Sequence, residues 1–411
     1  MQRSIEDKAL DYHAAGQPGK IAIQVTKSVA SQDDLSLAYS PGVAAPCMAI
    51  HADPARAYDF TAKGNLVGVI TNGTAVLGLG DIGAQAGKPV MEGKVVLFKK
   101  FAGIDAFDIE IDETDPEKLV AIIAALHPTF GGINLEDIKA PECFYVEQRL
   151  RERLSIPVFH DDQHGTAIVV AAGLLNAVQL SGRDITQVRL VCSGAGAAAM
   201  ACLDMLVDIG VQRQHITVCD SSGVLTTVRT LAPEKAAWAQ VSDALTLSDV
   251  IEATDVFLGL SGPGVLTQAD VQKMAPRPII FVLANPEPEL RPELIREVAP
   301  EAIIATGRSD YPNQINNALC FPYLFRAALD CGAVTINQNM KRACVLALAE
   351  MARSDGHFGS EYIVPTLLDP RLLPGVTPKI VAAAIDSGVA SRVLEECVYI
   401  KKLEALAATL I

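Results

Sequence analysis

The sequence predicts an α/β protein in two parts. A mixed N-terminal α/β domain comes first, and a doubly wound parallel sheet with C-terminal helices follows. Three observations predict it. The length, 411 residues, favours two domains. From residue 188 onward, short continuous apolar runs alternate with helical patterns, as buried parallel strands do. One of those strands runs into a glycine loop, Ser193-Gly194-Ala195-Gly196-Ala197-Ala198-Ala199, that opens a helix.

Residues 65–79 alternate apolar and small side chains and read as strand, turn, strand around Asn72-Gly73. Residues 94–98 and 107–111 read as further strands, and 156–159 as a short one. Residues 116–126 form an amphipathic helix with Asp115 as cap and Pro116 in its first turn. A second, charged helix covers 141–154, and the apolar run 167–180 reads as a buried helix too short to span a membrane. Past Gly165 the pattern becomes regular: strand 188–192, helix 197–209, strand 216–219, then strands at 256–260, 279–283 and 302–305. Residues 313–331 read as one long helix, with more helices after it. The boundary falls near 162–165, giving domains 1–162 and 163–411 with a ligand crevice between them.

Composition excludes some partners. The net charge of −14 argues against nucleic acid and anionic membranes, which reward basic patches. Nine scattered cysteines without a Cys-x-x-Cys read as reduced thiols of a cytoplasmic protein. No basic segment followed by an apolar run opens the chain, so no signal peptide is expected.

The loop pattern Gly-x-Gly-x-x-Ala carries the first chemical signal. Gly194 permits a tight turn, Gly196 lets backbone approach a pyrophosphate, and Ala199 allows close helix packing. The next strand ends at Asp220, where an acid holds an adenosine ribose. Asp220 argues for NAD; Ser221, Ser222 and Arg229 nearby leave room for NADP.

Two acidic stretches carry the second signal: Gly131 onward (Gly-Gly-Ile-Asn-Leu-Glu-Asp-Ile) and Phe159 onward (Phe-His-Asp-Asp-Gln-His-Gly-Thr). Acids at the ends of apolar runs are costly unless a cation neutralises them. Glu136 and Asp137 would face opposite sides of a regular strand, so both reach one ion only at a strand end. With the Asp161-Asp162 pair they suit Mg²⁺ or Mn²⁺, which favour about six oxygen ligands. His160 and His164 flank the second pair without a matching third zinc ligand. The alternative for each acid is a helix cap or a solvated loop charge; Asp161 in particular is expected to order its neighbours.

These motifs resemble malic enzymes. The resemblance is carried by Ala38-Tyr39-Ser40-Pro41-Gly42-Val43-Ala44, by Asn72-Gly73-Thr74-Ala75-Val76-Leu77-Gly78-Leu79-Gly80-Asp81, by the two acidic stretches, and by Thr306-Gly307-Arg308-Ser309-Asp310-Tyr311-Pro312 with Asn316-Asn317. It spans nearly the whole chain. It is strongest to the bacterial form that often carries a C-terminal phosphate acetyltransferase-like domain, before which this sequence stops. The resemblance implies a Rossmann-like NAD(P)-binding domain after the malic enzyme domain, and oxidative decarboxylation of (S)-malate to pyruvate and CO₂ with NADP, favoured, or NAD. It implies Tyr39 and Lys94 as catalytic residues and Glu136, Asp137 and Asp162 as metal ligands. It further implies Asn285, Asn317 and Lys94 at malate, with Asn285 also near the nicotinamide, and a homodimer or higher oligomer. One departure stands out: Ala75 occupies the position where many animal and plant members carry a substrate-gripping arginine, which leaves Arg308 or Lys63 to replace it.

Chemically, a base must take the C2 hydroxyl proton and an acid must protonate C3 after CO₂ leaves. Lys94 as base requires a neutral amine, so burial near a divalent cation is expected to depress its pKa. Tyr39 is the expected acid. The rivals are a malolactic enzyme, which returns lactate and keeps its cofactor, and a non-catalytic NAD(P) sensor.

Overall fold

The computed structural model describes residues 4–76 and 78–410; Leu77, in the motif at 72–81, lies outside the described residues. The first sheet holds β1 (Leu66–Thr71), β2 (Asp105–Glu110), β3 (Gly132–Leu135) and β4 (Val158–His160) in the order β2-β1-β3-β4, all parallel. β1 is buried along its whole length, as its continuous apolar run requires.

Two expectations for this region fail. Among the described residues no second strand follows Asn72-Gly73: the chain enters a loop with one isolated bridge, Val76 to Gly80. A hairpin partner has no vacant edge to occupy, because β2 and β3 already flank β1. Residues 94–98 are not a strand but lie inside the helix Ala84–Ala102. That helix buries Met91, Lys94, Val95, Phe98 and Ala102, a stripe of helical spacing whose middle alone looks like a strand. Gly103, in the left-handed region, closes it.

The second sheet runs β10-β9-β8-β5-β6-β7, with β5 (Leu190–Ser193), β6 (Ile216–Asp220), β7 (Gly223–Val224), β8 (Val256–Gly259), β9 (Ile279–Val282) and β10 (Ile303–Thr306). All pairs are parallel except β6 with β7. Strand order reverses beside β5, which makes its carboxyl end the switch-point crevice of a Rossmann-like sheet.

The helix Asp161–Ser181 joins the two sheets, so the expected boundary at 162–165 falls within its first turns. It is long and apolar enough to cross a membrane, but 67% of its apolar window is buried, which makes it a core helix. The single helix expected over 313–331 is instead a 3-10 turn, Asn317–Leu319, followed by the helix Phe321–Cys331. Pro322 lies in the first turn of that helix, where its missing N–H is harmless, and so marks its start. The helices Gln338–Arg353, Leu372–Asp386 and Glu396–Leu410 complete a core in which Val67 and Phe98 of the first part join Leu190, Phe281 and Leu373 of the second. By contrast, none of residues 4–65 is buried. All nine cysteines are free thiols.

Candidate active site

β3 and β4 are neighbours in register, Leu135 opposite His160, so the two acidic stretches leave the sheet at the same level. Glu136 and Asp137 follow β3; Asp161 and Asp162 follow β4 and form the first turn of the helix Asp161–Ser181, whose positive end favours them. Asp137 has φ 53°, left-handed and rare for a residue with a side chain. That turn breaks the strand alternation that would have aimed Glu136 and Asp137 apart. It costs on the order of 1–2 kcal/mol. It is held by Asp137 N–H donating to Asp162 Oδ2 at 2.7 Å and by Ala75 N–H donating to the Asp137 carbonyl at 3.0 Å. One ligand oxygen from each of Glu136, Asp137 and Asp162 lies within 4.8 Å of the others.

Lys94 reaches this cluster from the helix Ala84–Ala102. Its Nζ lies 2.6 Å from Asp161 Oδ2, 2.8 Å from Glu136 Oε1 and 4.4 Å from the centre of the Phe321 ring. Phe98 packs edge-on against Phe321 and Phe325, so an aromatic floor from both parts of the chain sits behind the ammonium. Asn134 Nδ2 donates to Glu136 Oε2 at 2.8 Å. Asn317 and Asp161 both close on Gly165: a Cβ there would lie 2.9 Å from Asn317 Cβ and 2.0 Å from Asp161 Oδ1.

Four buried or half-buried carboxyl groups therefore share one ammonium. Burial first, and their mutual repulsion second, push them up against the pull of Lys94: Glu136 and Asp161 to about 7, Asp137 to about 9 and Asp162 to about 6. Asp137 Oδ2 and Asp161 Oδ1 are buried with no hydrogen-bond partner. A donor set of carboxylate oxygens short of positive charge fits a hard divalent cation. For Lys94 the outcome differs from the sequence expectation. Burial opposes its charge, but Asp161 and Glu136 outweigh that and hold it above the usual lysine range.

The glycine loop lies at the carboxyl end of β5. Gly194 has φ 119°, and a Cβ on it would meet the Leu260 carbonyl oxygen at 2.3 Å. At Gly196 a Cβ would meet nothing within 4 Å, so the approach to the N-terminus of the helix Ala197–Asp208 is open, as a pyrophosphate needs. Ala195, Ala197 and Ala198 continue the loop into the helix, and buried Ala199 packs it on the sheet. Ser193 Oγ lies 3.0 Å from Ser261 Oγ, tying the loop to the end of β8. Asn285 adjoins both Gly307 and Gly78: a Cβ on Gly307 would meet its Nδ2 at 2.4 Å, and one on Gly78 its carbonyl oxygen at 3.0 Å. The loop after β1 and the loop after β9 thus meet across the crevice.

Tyr39 lies on the N-terminal segment 4–65, none of whose residues is buried. It ends the short helix Gln32–Ala38 with 72% of its surface exposed, and among the described residues its hydroxyl joins none of the cluster's hydrogen bonds. Lys63 spends its Nζ on the carbonyls of His127, Pro128 and Phe130, a structural role. Arg308 pairs with Asp310 and donates to the Pro286 carbonyl at 3.1 Å, next to Asn285. Sequence reasoning missed Phe321 beneath Lys94 and Lys235 beside Asp220; no local motif marks either. The Asp161 contact with Lys94 was signalled only by adjacency to Asp162.

Residues 18–151 match the family model described as malic enzyme, N-terminal domain, and 163–385 match malic enzyme, NAD binding domain. An NADP-dependent malic enzyme of Escherichia coli (strain K12) is 59% identical over 98% of this chain and 55% of its own length. An NAD-dependent malic enzyme of Rhizobium meliloti (strain 1021) is 55% identical over 97% of this chain and 54% of its own. This chain thus spans about half the length of those curated relatives. The crystal structure of a malic enzyme from Pyrococcus horikoshii superposes with a TM-score of 0.91 at 42% identity, covering 99% of this chain and 96% of that one. Family models over both parts, close relatives along its whole length and the same fold together establish that the chain belongs to the malic enzyme family.

Proposed function

We propose that this chain catalyses metal-dependent oxidative decarboxylation of (S)-malate to pyruvate and CO₂ with reduction of NADP⁺ or NAD⁺, and that it also decarboxylates oxaloacetate. The observation that carries the reading is the convergence of Glu136, Asp137 and Asp162 within 4.8 Å, beside buried Lys94. On this reading residues 1–162 supply the catalytic groups and 163–411 hold the dinucleotide.

Glu136, Asp137 and Asp162 would hold Mg²⁺ or Mn²⁺, which when bound polarises the C2 oxygen and withdraws electrons as CO₂ leaves. A divalent cation in the acid cluster would take up the charge that holds Lys94 protonated, leaving its amine placed to exchange the proton of the C2 hydroxyl. The Gly194 loop with Asn285 would hold a nicotinamide dinucleotide, which would supply the acceptor for the C2 hydride. The C3–C4 bond then breaks, CO₂ departs, and C3 takes up the proton lost from oxygen, so the steps balance. Asp161 and the Phe321 face fix the Lys94 amine in place. Asn285, on the loop after β9, and Asn317, beside Asp161, orient the substrate. The role of Tyr39 as acid at C3 rests on its motif alone. A homodimer or higher oligomer is supported by the N-terminal segment, which buries no residue yet exposes Ile23, Val25, Leu37 and Met48. The free thiols suit a cytoplasmic protein.

A steady-state assay with malate, each cofactor, and Mn²⁺ present or absent tests this. Reduced cofactor and pyruvate should form only with metal. Lactate without net reduced cofactor would select the malolactic alternative, and no turnover under any condition would leave a sensor.

A further inference from the structure

His160 and His164 flank the acid pair Asp161-Asp162, and the chemistry above uses neither. The His160 ring does not hold Asp162: its Nδ1 stays 3.7 Å from Asp162 Oδ2, beyond hydrogen-bond reach. What the two histidines share is Glu147.

Glu147 stands on the helix Glu142–Arg153, in a buried stripe with Cys143, Val146 and Leu150, and is 6% exposed. A carboxylate in such a stripe is costly unless it is paired. Its partners lie on either side of the acid pair. Glu147 Oε1 accepts from the His160 N–H at 3.2 Å. His164 Nε2 lies 3.0 Å from Oε1 and 2.9 Å from Oε2. On the other side of that ring, Lys341 Nζ of the helix Gln338–Arg353 lies 3.3 Å from Nδ1. An ammonium can only donate, so Nδ1 accepts and Nε2 carries the hydrogen given to Glu147. The Phe159 ring, 5.5 Å from the His164 ring centre to centre, packs beside it.

One carboxylate thus grips the backbone just before Asp161-Asp162 and a side chain two residues after them. The bracket matters for Asp162, whose side chain is 33% exposed and so is not held by packing alone. Groups that orient a metal ligand count nearly as much as the ligand itself. Given the metal reading above, on which this inference rests, we propose that Glu147 is a positioning residue of the metal site. Through the His160 N–H and the His164 ring it fixes the turn that presents Asp162 to a divalent cation, and Lys341 steadies that ring from the second part of the chain.

Calorimetric titration of the full chain with Mn²⁺, without malate or dinucleotide, tests this independently of turnover. Glu147→Leu suits the apolar stripe but removes the acceptor; it should weaken Mn²⁺ binding by about 10-fold or more. Binding of NADP⁺, whose loop lies on the other sheet, should stay within about twofold. Glu147→Gln keeps a carbonyl oxygen for the His160 N–H and should recover most of the lost Mn²⁺ affinity. His164→Asn cuts the link from Glu147 to Lys341 and should show an intermediate loss. It decides the matter if Glu147→Leu loses the parent's circular dichroism spectrum. Parental Mn²⁺ affinity in Glu147→Leu and His164→Asn, whatever their Tm, overturns the inference alone and leaves Glu147 a brace of the core. A parent chain that binds no Mn²⁺ overturns the metal reading, and this inference with it.

Discussion

Beyond β3 and β4, four carboxyl groups crowd around the single ammonium of Lys94, whereas at the end of β6 two cations serve the single carboxylate of Asp220. Both sites occupy the carboxyl ends of parallel strands; Lys94 and Asp161 are buried, whereas Arg229 and Lys235 stay partly open to water. The difference lies in the balance of charge. In the first cluster burial and repulsion drive the acids upward, to about 9 at Asp137. In the second, burial also opposes the charge, but Lys235, the Ser222 N–H and Arg229 overcome it and hold Asp220 below the usual carboxylate range. Shortage of cations marks a place for a bound metal.

The comparison can be broken most forcefully at Lys94. Lys94→Ala should lower kcat for malate oxidation by about 10³-fold or more, in line with loss of a proton-transfer group, while NADP⁺ binding measured by calorimetry stays within about twofold. Unchanged turnover would remove Lys94 from the chemistry. Next in size, Asp162→Ala should raise the Mn²⁺ concentration for half-maximal activity by about 100-fold, because loss of even an outer partner of a ligand costs 10–100-fold. An unaltered Mn²⁺ titration would count against ligation.

A third effect concerns stability. Mn²⁺ at about 100 times its Kd should stabilise the parent chain by about 2.7 kcal/mol, seen as a rise of a few degrees in Tm. The rise should vanish in Glu136→Gln. The smallest effect belongs to Asp220. The pKa of Asp220 is lower folded than unfolded, so its stabilisation is complete above the unfolded value, about 3.9, and drains as pH falls through the lower folded one. Asp220→Asn should therefore reduce Tm at pH 7, and the gap to the parent should narrow below about pH 4. A gap independent of pH would assign the loss to packing instead.

Much of this was legible in the sequence because it is local. The Rossmann-like strands β5, β6, β8, β9 and β10 carry continuous apolar runs, and the glycine loop announces its own turn. The helix Pro116–Leu126 agrees with its cap and its Pro116. The failures also have physical causes. The Lys94 segment looks extended because a short window of Val95, Val96 and Leu97 hides the helical stripe that starts at Met91. After Asn72-Gly73 the chain forms a loop rather than a strand because both sides of β1 are taken by β2 and β3, which lie far away in sequence. The acids could be named from their motif, yet their convergence depends on the register of Leu135 with His160 and on the backbone turn at Asp137. The cage around Asp220 was half visible, through Arg229, while Lys235 arrives from a separate short helix.

The most direct test of the central claim is anomalous scattering from crystals grown with Mn²⁺. One strong peak bonded to carboxylate oxygens of Glu136, Asp137 and Asp162, with Lys94 alongside, is the predicted result. A peak bound elsewhere, with those three side chains left uncoordinated, would contradict it.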